Sequence, residues 1–175
     1  MSAPTIRPAR KSDGDALAAL WQELLTEQQA LDPRINIADD ALKRWRNDFP
    51  LWIDDSTRRM IVAEHEGRIV GYVHAHRWGP PPIFAASSEV YIDDLYVREE
   101  VRGTGIGSNL VQAILAWAEE LQADRLRMGV LTKNTDGHAF WKAVGANPLY
   151  TTFTIEIENE SKPEKSSERQ RRIGF

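Results

Sequence analysis

The sequence predicts a three-layer α/β fold, in which helices flank a mixed and mostly antiparallel sheet. Three observations predict it. Stretches with apolar residues every three or four positions, typical of helices, are separated by stretches with strict alternation, typical of strands. Two of the alternating stretches follow each other across a short turn, which indicates an antiparallel hairpin. A glycine-rich segment then joins a third alternating stretch to a helical one, as a strand-to-helix loop does.

Composition limits the classes of protein that the chain can represent. A length of 175 residues suits one domain, which we expect to span residues 1–158 and to be followed by a polar tail at 159–175. A net charge of −4 offers no basic field for nucleic acid, and the lack of cysteine excludes disulfides and thiolate nucleophiles. No apolar stretch approaches the ~18 residues of a membrane span, so we expect a cytoplasmic protein that does not bind membranes.

The N-terminal part reads as a strand and two helices. Thr5 to Arg7 predicts a first strand that Pro8 ends, and Ser12 or Asp13 can cap the helix that follows. That helix carries an apolar stripe, which is core by default: Leu17, Leu20, Trp21, Leu24 and Leu25. A second helix is predicted from Asp39, with Leu42 and Trp45 on one face.

The hairpin occupies the next stretch of the chain. Residues 60–65 and 68–76 alternate around a Glu66-Gly67 turn, before residues 78–82 break the sheet into a loop. His74 and His76 share one face of the second strand, which resembles a pair of metal ligands. No third ligand is evident in the sequence, so we predict no metal site.

The strand from Glu89 to Val97 carries unusual charge for a central element. Glu89, Asp93 and Asp94 lie among apolar residues. An ionised carboxylate inside a sheet is costly unless it is paired or faces a wet cleft. Two interpretations stay open for each acid: a cleft, or an ion pair with Arg98, Arg125 or Arg127.

A glycine loop follows this strand and opens a helix at Ser108. Gly103, Gly105 and Gly107 allow positive φ, so that successive amides can point into one concavity at the positive end of the helix. Such a concavity suits a pyrophosphate. The loop has no lysine for a Walker motif, and its Gly-x-Gly-x-Gly spacing departs from the dinucleotide fingerprint.

Three further elements are predicted after the loop. An apolar helical stripe runs on to Leu121, and residues 125–132 alternate as a strand. Asn134 or Thr135 can cap a helix that Gly145 ends. Leu149 to Ile157 alternates as a closing strand, with Phe153, Ile155 and Ile157 on one face.

Two segments together resemble the GNAT superfamily of N-acetyltransferases. Arg102, Gly105 and Gly107 fit the acetyl-CoA signature Arg/Gln-x-x-Gly-x-Gly/Ala, directly after the Asp-Asp-Leu-Tyr-Val strand. Residues 134–145 resemble the superfamily segment Asn-x-x-Ala-x-x-Phe-Tyr-x-x-x-Gly. The resemblance covers residues 5–157, and the central strand is similar to that of the spermidine/spermine acetyltransferase branch.

The resemblance implies transfer of acetyl from acetyl-CoA to a primary amine by direct attack in a ternary complex. It implies that two neighbouring strands splay apart and that the pantetheine arm lies in the gap. The residues implied to bind the cofactor are Leu95, Tyr96, Val97, Arg102, Gly103, Thr104, Gly105, Ile106, Gly107, Ser108, Asn134 and Trp141.

The resemblance implies catalytic residues as well. Glu89 stands where the histone-acetylating branch carries its base, and Asp93 where the spermidine/spermine branch carries a functional glutamate, with Asp94 beside it. Strands of this superfamily often bulge here, and a bulge reverses which side chains face the cleft. Trp141 replaces a tyrosine that protonates the departing thiolate in many members, and an indole N–H cannot do so near neutral pH. Tyr150, Tyr96 or a water are then the candidate acids.

Other interpretations accompany this one. The aromatic residues Trp45, Phe49 and Trp52 either wall the acceptor pocket or belong to the core or to a dimer face. Acid pairs, including Asp93-Asp94, suit a cationic acceptor, and residues around Ile173 and Phe175 suit a homodimer contact. A non-catalytic acyl-CoA-binding or regulatory module is the alternative function, and a nucleotide-phosphate enzyme that uses the same loop is a third.

Overall fold

The computed structural model describes residues 3–80, 83 and 88–157, and the predicted polar tail lies outside them, as does part of the loop after Trp78. The described chain forms two compact units, one up to Gly145 and one from Ala146 onward. Strands and helices belong to the first unit: β1 Thr5–Pro8, α1 Gly14–Leu31, α2 Ala41–Asp54, β2 Arg58–His65, β3 Arg68–Trp78, β4 Glu89–Val97, α3 Ile106–Glu120, β5 Arg125–Met128 and α4 Thr135–Ala143. Short 3-10 turns stand at Lys11–Asp13 and Glu99–Val101.

The strands form one sheet in the order of the sequence. β1 to β4 pair antiparallel with their neighbours, and β5 pairs parallel with β4. The mixed, mostly antiparallel sheet and the Glu66-Gly67 hairpin turn are therefore confirmed.

Two apolar cores lie on opposite faces of this sheet. On one face, Leu110 and Ile114 of α3 pack on Val73, Val90 and Ile92 of the central strands. On the other, the apolar stripe of α1 and the aromatic side chains of α2 pack on β2, β3 and β4. Alternate residues of one strand enter different cores, as the pleat of a strand requires. The sheet is therefore packed on both faces, and the acidic residues of β4 belong to this middle layer.

A bulge interrupts the pairing of β3 with β4. His74 lies opposite Asp94 and Ala75 lies opposite Ile92, so Asp93 is an extra residue in β4. Before the bulge, Val90 and Ile92 face α3, and after it Leu95 and Val97 do so. The spacing between these apolar positions therefore changes from two residues to three at the bulge. As a consequence, Tyr96 packs in the core beneath α1 and α2, and Asp94, two residues earlier in the strand, lies on the α1 side of the sheet with Leu24 and Gln28.

The second unit corrects one prediction. Residues 149–157 form no strand, so the predicted closing strand is wrong. Phe153 and Ile155, which alternation marked as one buried face, are 88% and 91% exposed. Alternation indicates that a segment could cover an apolar surface, but it does not supply the partner strand that a ladder needs.

In the described part of the chain, no helix combines the length and the apolar character that a membrane crossing demands.

Candidate active site

The glycine loop of residues 102–107, called the cradle below, has positive φ at two of the three glycines for which the sequence allows it, whereas Gly107 lies in the first turn of α3. Gly103 and Gly105 have φ values of +77° and +87°, which an L side chain rarely adopts. Gly105 is the N-cap of α3, and the amides of the first helical turn have no acceptor within the helix. At Gly107, a Cβ would lie 3.1 Å from the ring of Phe140 in α4, so a larger residue would push this helix away. The cradle can therefore hold an anion with main-chain donors alone.

The two strands nearest to the cradle diverge. β5 pairs with β4 only from Glu89 to Ile92, whereas β4 continues to Val97. Two cavities open at this divergence, of about 560 and 340 Å³. The larger is lined by Leu95 to Val97 and by four residues of the cradle, Arg102, Gly103, Gly105 and Gly107, and the smaller by Asp93 and Asp94. The other two cradle residues do not line it, and Ile106 is buried in the core under α3. Both are bordered by Leu24, Leu95, Asn134 and Trp141, which makes them neighbours in one cleft.

Arg102 opens the cradle and is held by three contacts. Its Nη2 donates to both carboxylate oxygens of Glu27 in α1, at 2.7 and 2.9 Å, and its Nε donates to the Val97 carbonyl at 2.8 Å. The guanidinium also lies over the ring of Tyr96, 5.4 Å from its centre. Tyr96 in turn donates its hydroxyl to Glu27, and burial, followed by this hydrogen bond, raises the pKa of Tyr96 well above its usual range. A phenol with so high a pKa is a poor proton donor near neutral pH.

Asp94 is the acid with the most perturbed environment. Its half-buried carboxylate lines the smaller cavity, and no hydrogen bond or ion pair is seen for it among the described residues. Burial, with a smaller contribution from the charge of Asp93, raises the pKa of Asp94 to about 7. Such a carboxyl group exchanges a proton near neutral pH, as a general base must.

Asp93 is held by basic groups from two other strands. Its carboxylate accepts from His76 Nδ1 at 2.8 Å and lies 3.8 Å from Arg58 Nη1 of β2. His74 Nδ1 is 3.7 Å away, but burial lowers the pKa of this histidine to about 4, so it is neutral at physiological pH. Together these residues, Arg58, His74, His76, Asp93 and Asp94, are called the carboxylate cluster below.

Glu89 occupies a different environment. It is 2% exposed and pairs with Arg125 Nε at 3.2 Å and Arg127 Nη1 at 3.3 Å, both on β5. It does not line either of the two cavities. Its ion pairs are those considered from the sequence, and they tie β5 to the paired end of β4.

α4 supplies a further wall of the cleft. Asn134 caps this helix by accepting from the Gly137 amide at 2.8 Å, and it borders both cavities. Trp141 also borders both and packs edge-on against Phe140, with 5.1 Å between ring centres. Ser108 and the cradle glycines line the larger cavity with them.

The aromatic candidates of α2 lie in the core, and Tyr150 is part of the second unit. Trp45 and Phe49 are buried in the α1/α2 core and stack on each other at 5.0 Å, while Trp52 stacks on His74. None of the three lines the cavities. Tyr150 belongs to the second unit and is 68% exposed.

Sequence reasoning missed Glu27 and Arg58. Both are charged residues in elements that the sequence predicts from their apolar residues alone. Their roles depend on contacts with residues 35 or more positions away, which the local sequence does not show. One signal for the bulge was present: the apolar residues Val90, Ile92, Leu95 and Val97 change their spacing between Ile92 and Leu95. That change marks Asp93 as the inserted position.

Comparison with known proteins identifies the class. The family model described as "Acetyltransferase (GNAT) family" matches residues 17–146. Among curated relatives, a thialysine N-epsilon-acetyltransferase of Bos taurus is 27% identical over 151 residues, covering 82% of this chain and 84% of the relative. A peptidyl-lysine N-acetyltransferase of Escherichia coli is 24% identical over 162 residues, covering 91% and 90%.

Solved structures share the fold. A Bacillus halodurans protein aligns with a TM-score of 0.78 at 23% identity, over 88% of this chain and 99% of the other. An aminoglycoside N-acetyltransferase solved in complex with CoA aligns with a TM-score of 0.71 at 17% identity, over 91% and 97%. The chain therefore belongs to the GNAT family of acetyltransferases. It is an N-acetyltransferase that uses acetyl-CoA as co-substrate and transfers the acetyl group to an amine.

Proposed function

We propose that this N-acetyltransferase holds acetyl-CoA in the larger cavity, admits a cationic primary amine to the smaller one, and uses Asp94 as the base. The observation that carries the proposal is the position of Asp94. A half-buried carboxylate with a pKa of about 7 lines one cavity, next to the cavity that contains the cradle.

Asp94 removes the proton that keeps the amine from reacting. An ammonium ion has no lone pair, so the acceptor must lose a proton before its nitrogen can attack the thioester carbonyl. A carboxylate with a pKa near the working pH combines a deprotonated fraction with enough basicity to accept that proton. The nitrogen–carbon bond then forms, the carbon–sulfur bond breaks, and the sulfur leaves with the electron pair as a thiolate. The second proton, which the attacking nitrogen must lose to become a neutral amide, passes to this thiolate and gives the free thiol of CoA.

Main-chain groups and the Arg102 guanidinium do most of the rest of the binding. Amides of the cradle bind the pyrophosphate, and backbone groups of Leu95 to Val97, beyond the last β4–β5 pair, accept the pantetheine arm and polarise the carbonyl. Ser108, Asn134 and Trp141 complete the wall around the cofactor. We assign no protein acid to the thiolate, because Trp141 cannot supply a proton and Tyr96 is held as a donor to Glu27.

The acceptor is a positively charged amine. Asp93 and Asp94 are the charged residues among those that line the smaller cavity in the described chain. A cleft lined by one sign of charge concentrates ligands of the other sign. Relatives that are named for thialysine, peptidyl-lysine and aminoglycoside acceptors agree with such a choice. A cytoplasmic location and a homodimer stay predictions from the sequence.

The test is an assay of CoA release against a panel of amines. The panel contains free lysine, a lysine-containing peptide, a polyamine, an aminoglycoside and, as a control, an uncharged amine-free alcohol. Because the protein has no cysteine, a thiol reagent reads CoA without background from the enzyme. We expect turnover with at least one cationic amine and none with the alcohol.

One outcome would favour the alternative function. Binding of CoA, measured by calorimetry, without turnover on any amine would indicate a non-catalytic acyl-CoA-binding or regulatory module. Thermal protection by ATP or NAD in place of CoA would instead indicate a nucleotide-phosphate enzyme.

A further inference from the structure

Glu27 is a carboxylate in the wall of a cavity that has to receive phosphates. It belongs to α1, and Leu24, one turn earlier, and Gln28, the next residue, also line the cleft. The side chains of Glu27 and Arg102 are 44% and 43% exposed, so neither is buried by the contact between them. Glu27 therefore presents negative charge to the same space as the cradle.

Arg102 cannot serve Glu27 and a phosphate fully at the same time. A two-point contact of a guanidinium with an oxyanion uses either Nε with Nη2 or the two terminal nitrogens, and Nη2 belongs to both edges. In the structure Nη2 bonds both oxygens of Glu27, and Nε bonds the Val97 carbonyl. Because Nη2 carries two hydrogens, a fork on the pyrophosphate takes one of them and leaves at most one for Glu27.

We propose that Glu27 competes with the phosphates of the cofactor for Arg102, and that it is a positioning residue that limits the affinity for CoA. The inference rests on the proposed cofactor site. A pyrophosphate carries more charge than one carboxylate, and charge strengthens each hydrogen bond to the guanidinium, so the phosphates win the exchange. Glu27 keeps the hydrogen bond from the Tyr96 hydroxyl but loses part of its ion pair with Arg102, so its negative charge in the wall of the occupied cavity repels the phosphates and weakens binding.

The substitution Glu27→Gln removes the negative charge of the side chain and keeps its hydrogen bonds, so that the two contributions can be separated. The amide oxygen of glutamine still accepts from the Tyr96 hydroxyl and from Arg102, but carries no charge. We expect Glu27→Gln to lower the dissociation constant of CoA roughly two- to fivefold, the scale of an exposed ion pair. It should lower KM for acetyl-CoA with kcat unchanged, as a change in uniform binding does.

Two controls separate this role from a structural one. Pantetheine lacks the phosphates, so its dissociation constant should be the same for the wild-type chain and for Glu27→Gln. Glu23, one turn earlier on α1, pairs with Arg98 at 3.1 Å and does not line either cavity, so Glu23→Gln removes a similar ion pair without affecting CoA.

Calorimetric titration of the full chain with CoA and with pantetheine tests the role of Glu27. The variants Glu27→Gln and Arg102→Gln are titrated singly and in combination. Arg102→Gln should weaken CoA, and Glu27→Gln should tighten CoA less in that background. A dissociation constant for CoA that is unchanged or higher in Glu27→Gln overturns the inference, as does an equal shift for both ligands. If Arg102→Gln and Gly105→Ala both leave CoA binding unchanged, the proposed cofactor site itself is wrong. If either variant weakens CoA binding, the site stands and only the role of Glu27 is wrong.

Discussion

The cradle and the carboxylate cluster lie at neighbouring cavities but are built from different chemistry. The cradle consists of main-chain amides held by glycines with positive φ. The carboxylate cluster consists of side chains that come from three strands and meet because β4 carries one extra residue. The first region should tolerate changes of side chain that preserve its backbone, whereas the second should depend on the identity of single side chains.

The largest effect should come from Asp94→Asn. This change keeps the size of the side chain but removes the base, and loss of a general base typically lowers the rate by about 10²- to 10⁴-fold. We expect a loss of that size in kcat/KM, with the dissociation constant of CoA unchanged. Steady-state kinetics and calorimetry measure the two quantities.

Asp48→Asn is the matched control for this variant, since Asp48 is exposed on α2 and does not line either cavity. Retention of more than a tenth of the wild-type kcat/KM by Asp94→Asn would show that another group takes the proton.

A smaller effect is expected for Gly105→Ala in the cradle. A Cβ at a φ of +87° costs about 1–2 kcal/mol, and the loop can relieve this strain by turning its amides away from the pyrophosphate. We expect CoA to bind roughly tenfold more weakly, the equivalent of about 1.4 kcal/mol.

Gly67→Ala provides the comparison, because Gly67 has a φ of +75° in the β2–β3 turn and also has open space where its Cβ would be. Both variants should lose similar thermal stability, and only Gly105→Ala should lose affinity. Equal CoA binding by the two would argue against a cradle made of backbone amides.

Glu89→Gln should affect stability and leave catalysis nearly unchanged. Its carboxylate is buried between two arginines, and removal of one partner of a buried pair leaves the remaining charges uncompensated. We expect a lower melting temperature. At a temperature where the variant stays folded, kcat/KM should be within about threefold of wild type, because Glu89 makes no contact with the reacting groups. A loss of activity as large as that of Asp94→Asn would move the base to Glu89.

The smallest expected effect is a shift in pH dependence. The pKa of Asp94 is raised to about 7, and the base acts when it is deprotonated, so kcat/KM should fall as the pH falls through about 7. Asp93→Asn removes a neighbouring negative charge that contributes to this rise, so the acid limb should move to lower pH. The pH profile of kcat/KM for both forms tests this, and an acid limb that stays in place would mean that Asp93 does not influence the base.

The raised pKa of Asp94 also makes the stability of the folded chain depend on pH. The folded chain holds the Asp94 proton more tightly than the unfolded chain does, so the contribution of this group to stability falls as the pH rises from about 4 to about 7. In Asp94→Asn this loss should vanish. Melting temperatures at acid and neutral pH, compared for the two forms, measure it.

The cradle could be predicted from sequence because its information is local. The positions of Gly103, Gly105 and Gly107, set between a strand and a helix, fix where positive φ is available, and the structure has it at two of them. Most helices and strands follow equally from period and caps, including α3 and the Asn134 cap of α4.

The carboxylate cluster could not be predicted in this way because it depends on pairing between distant segments. Nothing local to Asp93 indicates that His76 and Arg58 will hold it, or that Asp94 will stay unpaired beside it. The wrong strand at residues 149–157 has a related cause, since alternation reports a tendency and pairing requires a partner.

The extra residue at Asp93 also limits how relatives of this chain can diverge. If one residue were deleted from the second half of β4, every later side chain in the strand would exchange faces, and Tyr96 would turn toward α3 while Leu95 turned toward α1. Insertions and deletions at this point are therefore not neutral changes of length. A relative that lost this residue would need new packing on both faces of β4 and, at the same time, a new proton acceptor.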